Sequence, residues 1–172
     1  PQDTTFDLRS RMVLYMEEAG IPIKYHHPEV AASGQFEIEP QLGEMSKMAD
    51  ASVMMKYIIK NTAQEYGMSA TFMPKPREGV NGSGMHLNFK CRDRDGRNLF
   101  CDEKDALGLA GTAYQFIAGI LRHIRGIALV TNPIVNSYKR LVPGFEAPVN
   151  VTWSGSSLNV SSLIRVQPLR GD

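Results

Sequence analysis

Cysteine is scarce in this 172-residue chain: Cys91 and Cys101 are too few for a disulfide framework and lack the paired spacing of a structural zinc site. They flank the turn from Asp93 to Asn98, where a hairpin would bring them near each other, but free thiols are the expected state. No uninterrupted apolar run approaches the roughly 20 residues that cross a bilayer. Nor does Pro1-Gln2-Asp3-Thr4-Thr5 carry a basic segment followed by an apolar one, so neither a membrane span nor a leader is expected. Charge of one sign is also lacking. Nineteen Lys and Arg against 18 Asp and Glu leave a net +1, which gives no field to attract nucleic acid or an anionic membrane. What is present is a 42% hydrophobic content, enough for a packed core in one domain. The expectation is a soluble, cytoplasmic protein whose function lies in a local site.

Apolar periodicity supplies the organisation. Leu8, Met12, Tyr15, Met16 and Ala19 form one stripe with Arg9, Arg11, Glu17 and Glu18 assigned elsewhere, and Gly20 stands at the stop. Met48, Ala51, Met55, Ile58, Ile59, Thr62 and Tyr66 predict a second helix ended by Gly67; Leu109, Ala113, Phe116, Ile117, Ile120 and Ile124 predict a third. Alternation predicts strands at Ile21-Ile23-Tyr25, Phe36-Ile38, Met85-Leu87-Phe89-Cys91, Val149-Val151-Trp153 and Ile164-Val166. Gly and Pro punctuate the connections, and no repeat or linker interrupts them. This order predicts an α+β fold, with helices packed on the apolar face of a largely antiparallel sheet. If the strands share one sheet, Glu37, Glu39, His86, Asn88 and Lys90 line its other face, a mixture of carboxylate and imidazole.

Glu29 and Glu37 flank Ala31-Ala32-Ser33-Gly34, small residues that let the chain reverse and bring the carboxylates together. Two close carboxylates repel unless a cation neutralises them, and hard oxygens select Mg²⁺ or Mn²⁺ over zinc. Two solvated strand carboxylates would leave the same pattern. His86 follows Asn81-Gly82-Ser83-Gly84, a loop that lets backbone amides approach a ligand; a glycine hairpin with a surface histidine is the plain alternative. His26 and His27 lack the i, i+4 spacing of a zincin pair, and no Walker loop or dinucleotide glycine motif occurs. Between Asn132 and Pro148, Tyr138, Lys139, Arg140 and Glu146 cluster in a Pro- and Gly-punctuated stretch, where the Arg140 fork could grip a carboxylate or phosphate. Ordinary surface loops share that charge mix, and Trp153 reads as core.

Together these segments resemble glutamine synthetase of the bacterial and archaeal type, through nearly the whole chain. His27-Pro28-Glu29-Val30-Ala31 with Gly34-Gln35 and Glu37 is similar to the segment whose two glutamates bind a divalent metal. Lys56-Tyr57, Lys60-Asn61 and Ala70-Thr71-Phe72-Met73-Pro74-Lys75-Pro76 resemble its helix and following strand. Asn81 to His86 resembles the glutamate-binding loop and the histidine ligand of a second metal, and Asn136 to Pro148 the segment with a substrate-binding arginine and a flap glutamate. The resemblance implies a curved, largely antiparallel sheet with outer helices. It also implies two Mg²⁺ or Mn²⁺ ions, ATP, glutamate and ammonia as substrates, and an acyl phosphate attacked by ammonia. By the same resemblance Glu29 and Glu37 hold one ion and His86 the other. His27 and Arg165 belong to the ATP site, Asn81 and Gly82 bind glutamate, Arg140 stabilises the transferring group, and Glu146 closes the site and takes a proton.

The chain departs from the family where an arginine gives way to Val160, after two extra residues within Gly155 to Leu158, and where a histidine gives way to Asn88. Residues 1–172 would form the central portion of the catalytic domain, with the small N-terminal domain and the C-terminal strands outside them. The family's stacked hexameric rings imply a homo-oligomer. Two other readings stay open: a structural or binding member without ligase chemistry, as in the lens, and a γ-glutamyl ligase that uses another amine.

Overall fold

A computed structural model describes residues 3–31 and 34–167 of the chain. The fold is α+β and divides into two units, one of residues 1–72 and 78–81, the other of residues 73–77 and 82–172.

In the first unit α1 (Phe6–Glu18) packs on α2 (Met45–Glu65) and on β1 (Ile23–Pro28), which pairs antiparallel with β2 (Phe36–Pro40). Leu8, Met12, Met16, Ile21, Ile59 and Ala63 form the core, against which Ile23, Phe36 and Ile38 pack. Both predicted glycine stops hold. Gly20 and Gly67 take φ of 81° and 68°, and the next amide reaches back five residues, Ile21 N to Met16 O at 2.9 Å and Met68 N to Ala63 O at 2.8 Å. That closure satisfies carbonyls a helix end leaves open.

One assignment on α1 is corrected. Arg9 is not on the polar side: it is 1% exposed, in the core stripe with Met12 and Met16. Its spacing to both is helical, and only its charge argued otherwise.

The ladder of β1 and β2 carries a further departure. Ile23 pairs with Pro40 and Tyr25 with Glu39, so Lys24 is an extra residue on β1. Alternation therefore changes phase: Ile23 faces the core, but Tyr25 and His27 face outward with their partners Glu39 and Glu37, while His26 faces inward opposite Ile38.

In the second unit α3 (Gly111–Thr131) packs on β3 (Asn150–Ser154), which pairs parallel with β4 (Ser162–Arg165). The connection of residues 155–161 suffices for a parallel pair because the strands are short: a return of about 15 Å is within its reach at ~3.3 Å per residue. Leu109, Ala113 and Ile117 form the core with Phe100, Tyr114, Ile164 and Val166. A short helix, α4 (Val135–Arg140), occupies a stretch read from its Pro and Gly punctuation as loop.

The strand predicted from Met85 to Cys91 does not form. Those residues pair with no strand among the described residues, and Met85, Leu87 and Phe89 are exposed. Alternation makes a strand possible, but only a second strand in register makes a ladder, and among the described residues no strand pairs with this stretch. His86, Asn88 and Lys90 accordingly do not share a sheet face with Glu37 and Glu39. Cys91 and Cys101 are half-buried free thiols beside the Arg92–Asn98 and Cys101–Leu109 bridges.

Candidate functional site

The bulge assembles one cluster. His27 stands opposite Glu37 in the ladder, and Glu29 enters from the chain beyond β1, its amide bonded to Gln35 O at 2.9 Å. Ligand atoms of His27, Glu29 and Glu37 all lie within 4.8 Å of one another. Ala32 and Ser33 of the predicted reversing turn lie outside the described residues, but Ala31 N donates a hydrogen bond to Gln35 Oε1 at 3.0 Å.

The electrostatics fit a cation site. Burial raises the Glu37 carboxyl above the usual carboxylate range; its hydrogen bond with Glu29 pushes the same way, while the His27 charge opposes. The His27 Nδ1 lies 2.9 Å from Pro28 O and 3.8 Å from Glu29 Oε1. Outside the cluster, Glu39 accepts from Lys24 Nζ at 2.6 Å and from the Tyr25 hydroxyl, so its charge is already engaged.

In the second unit Arg140, at the end of α4, runs against the glycine loop. A side chain at Gly82 would collide with Pro74 O and the Arg140 stem, and one at Gly84 with the Arg140 guanidinium. Burial lowers the Arg140 pKa, and no carboxylate pairs with it among the described residues. A half-buried cation without a counter-charge suits an incoming anion. The loop's other end is held by Ser83 N bonding Pro74 O at 2.8 Å and by Asn136, whose side-chain amide pairs with both main-chain groups of Lys75 at 2.7 and 3.0 Å. Asn81 is half-buried in the segment that belongs to the first unit.

His86 meets Arg165, with Nε2 and Nη2 3.4 Å apart, and Arg165 also donates to Ser157 O at 3.2 Å. Glu146 is the one non-glycine residue with positive φ among the described residues, at 52°, a conformation that costs about 1 kcal/mol. Glu146 and Val160 line one open cavity of about 540 Å³, with Pro143, Ala147 and Val149 on its walls.

Sequence reasoning missed Arg9, whose Nε donates to His26 Nδ1 at 3.2 Å. It also missed Asn136, for which a 61-residue separation left no local signal.

The whole chain, residues 1–172, matches the glutamine synthetase catalytic domain. A glutamine synthetase of Clostridium saccharobutylicum is 50% identical over 171 residues, which is 99% of this chain and 38% of that protein. A 3-hydroxylaminophenol mutase of Cupriavidus pinatubonensis is 48% identical over 166 residues, 96% of this chain and 34% of that protein. Among solved structures, Plasmodium falciparum glutamine synthetase superposes with a TM-score of 0.83 at 30% identity, over 93% of this chain and 32% of that one. A GmaS/ADP complex superposes with a TM-score of 0.81 at 32% identity, over 95% and 39%. The chain spans between a third and two fifths of the length of the curated relatives quoted. No helix among the described residues is long and apolar enough to cross a membrane. The match to the catalytic domain, made over every residue and supported by these identities, means that the chain belongs to the glutamine synthetase family.

Proposed function

We propose that the protein carrying this chain as the central portion of its catalytic domain joins ammonia to the γ-carboxylate of glutamate with cleavage of ATP, through γ-glutamyl phosphate. The observation that carries the reading is the convergence of His27, Glu29 and Glu37 within 4.8 Å. Two hard carboxylates beside an imidazole suit Mg²⁺ or Mn²⁺, and a cation would offset the burial and the Glu29 contact that raise the Glu37 pKa. Glu29 and Glu37 would hold one ion and His86 a second. Such ions, when bound, neutralise phosphate charge and polarise the group in transfer.

The chain's own residues bind and orient. His27 contacts the phosphate, and Arg165 the nucleotide. Arg140, lacking an internal counter-ion, takes the developing negative charge at the γ-carboxyl, with the Gly82 and Gly84 backbone leaving room for it. Asn81 and Gly82 hold glutamate. Glu146 closes over the site and accepts a proton from ammonium. The protein works in the cytoplasm as a homo-oligomer of stacked rings, and the ADP bound in a structural relative supports the nucleotide assignment.

A second reading has its own observation. The cavity beside Glu146 is walled by Ala147, Val149 and Val160 and has room for more than ammonia, which favours an amine with an apolar substituent.

Phosphate release by the full-length protein with glutamate, Mg-ATP and a panel of amines tests both readings. Activity with ammonia that falls at least about 100-fold in Glu37→Gln supports the first, and preference for an alkylamine supports the second. No phosphate release with any amine, together with no Mn²⁺ binding, would sink both and leave the non-catalytic homologue favoured by Val160 and Asn88.

A further inference from the structure

We infer that Arg9 is a positioning residue for the His27, Glu29 and Glu37 cluster: by holding half-buried His26 on the inward side of β1 it fixes the bulged register that turns His27 toward Glu37. The cation half of this inference rests on the proposed function, while the register half stands without it.

Two registers compete in β1. In a straight ladder Tyr25 and His27 would follow Ile21 and Ile23 into the core, the pattern that apolar alternation itself favours. His26 would then face outward, and the cluster would lose its imidazole. The observed ladder instead places Lys24 as the extra residue and His26 inward, opposite Ile38. An imidazole half-buried on the inward side gains from a partner. Arg9 is that partner: its Nη1 and Nη2 are engaged by Asp3 at 2.8 and 2.6 Å, and its Nη1 also meets the Thr5 hydroxyl. The third nitrogen, Nε, is aimed at His26 Nδ1 at 3.2 Å. The guanidinium also lies 6.0 Å from the ring centroid of Phe36 on β2. Asp3 neutralises the buried charge, so Arg9 stays in the core whichever register β1 adopts, but its Nε is satisfied by His26 only in the bulged one.

Cross-strand disulfides read the register directly, because bridging needs the partners opposite each other. In the full-length protein carrying Cys91→Ser and Cys101→Ser, Tyr25→Cys with Glu39→Cys joins the bulged partners. Tyr25→Cys with Ile38→Cys joins the straight ones, since in the bulged ladder Ile38 pairs with His26 on the other face. With Arg9 present the first pair should oxidise at least about tenfold faster than the second; in Arg9→Leu the ratio should fall toward one or invert. Should Arg9→Leu fail to fold, His26→Leu removes the acceptor and keeps the Arg9–Asp3 pair, and His26→Gln, which retains an acceptor, should restore the ratio. Mn²⁺ titration of the single variants should show a loss of about 10- to 100-fold in Arg9→Leu. Met12→Ala, which opens the same core and keeps the Arg9–His26 pair, should lower the melting temperature and leave Mn²⁺ affinity unchanged. An unchanged crosslinking ratio in Arg9→Leu or His26→Leu would overturn the role of Arg9. Failure of the unsubstituted protein to bind Mn²⁺ would instead overturn the cation site and leave the crosslinking ratio to decide the register.

Discussion

Arg165 Nη2 lies 3.4 Å from His86 Nε2, so a guanidinium donor and any cation on that nitrogen compete for one lone pair. Arg165→Met should therefore strengthen Mn²⁺ binding at His86 in the absence of nucleotide by about fivefold, the equivalent of ~1 kcal/mol. The same change should weaken ATP binding. Paired titrations with Mn²⁺ alone and with Mg-ATP check both signs, and equal effects in the two would place Arg165 outside the site.

Gly82 and Gly84 both face Arg140, but a methyl group would meet different atoms. At Gly82 it strikes the main-chain oxygen of Pro74, which cannot move without opening the Ser83–Pro74 hydrogen bond. At Gly84 it strikes only the flexible end of Arg140. Gly82→Ala should accordingly cost about 1–3 kcal/mol of stability, read by urea denaturation. Gly84→Ala should unfold at nearly the native midpoint yet raise the KM for glutamate.

Val160, where the resemblance implies an arginine, stands on a cavity wall shared with Glu146. Val160→Arg supplies a fixed positive charge and should lower the KM for ATP by about tenfold, as one charge-assisted contact to phosphate would. Steady-state kinetics at saturating glutamate measure it.

Asp105 organises the entry to α3 by accepting from Leu107 N at 2.9 Å, Leu109 N at 3.1 Å and the Tyr114 hydroxyl at 2.9 Å. The Leu109 amide, then the Leu107 amide and Tyr114, hold its carboxyl below the ordinary 3.8. A carboxyl with a lowered folded pKa contributes stability that is full above its unfolded pKa and is lost as pH falls through the folded one. Melting temperature should thus fall between about pH 5 and pH 2 in the native chain, and by less in Asp105→Asn. A profile of unchanged steepness in the variant would count against this.

The three long helices and the glycine stops of the first two were legible because a stripe at helical spacing and a residue free to adopt positive φ are local signals. So were the residue types of the cation cluster. Its geometry was not, since the alternation of Ile21, Ile23 and Tyr25 points the wrong way for His27 and nothing in that stretch announces that Lys24 is extra. Arg9 was misassigned for a related reason: charge was weighed above position, whereas the Asp3 carboxylate makes the buried guanidinium affordable. The stretch from Met85 to Cys91 has the right alternation for a strand but joins no ladder among the described residues, which no single-segment pattern can reveal.

Asn136 has a consequence for the order in which the second unit acquires its structure. Its amide does for Lys75 what an adjacent strand would do, satisfying a main-chain donor and acceptor together, but across 61 positions. Closing so long a loop carries an entropic cost that nearby contacts do not. The clasp also needs α4 formed to aim the Asn136 side chain. The base of the glycine loop therefore sets late and opens early, and amide exchange at Lys75 would register the state of a side chain more than that of any backbone ladder.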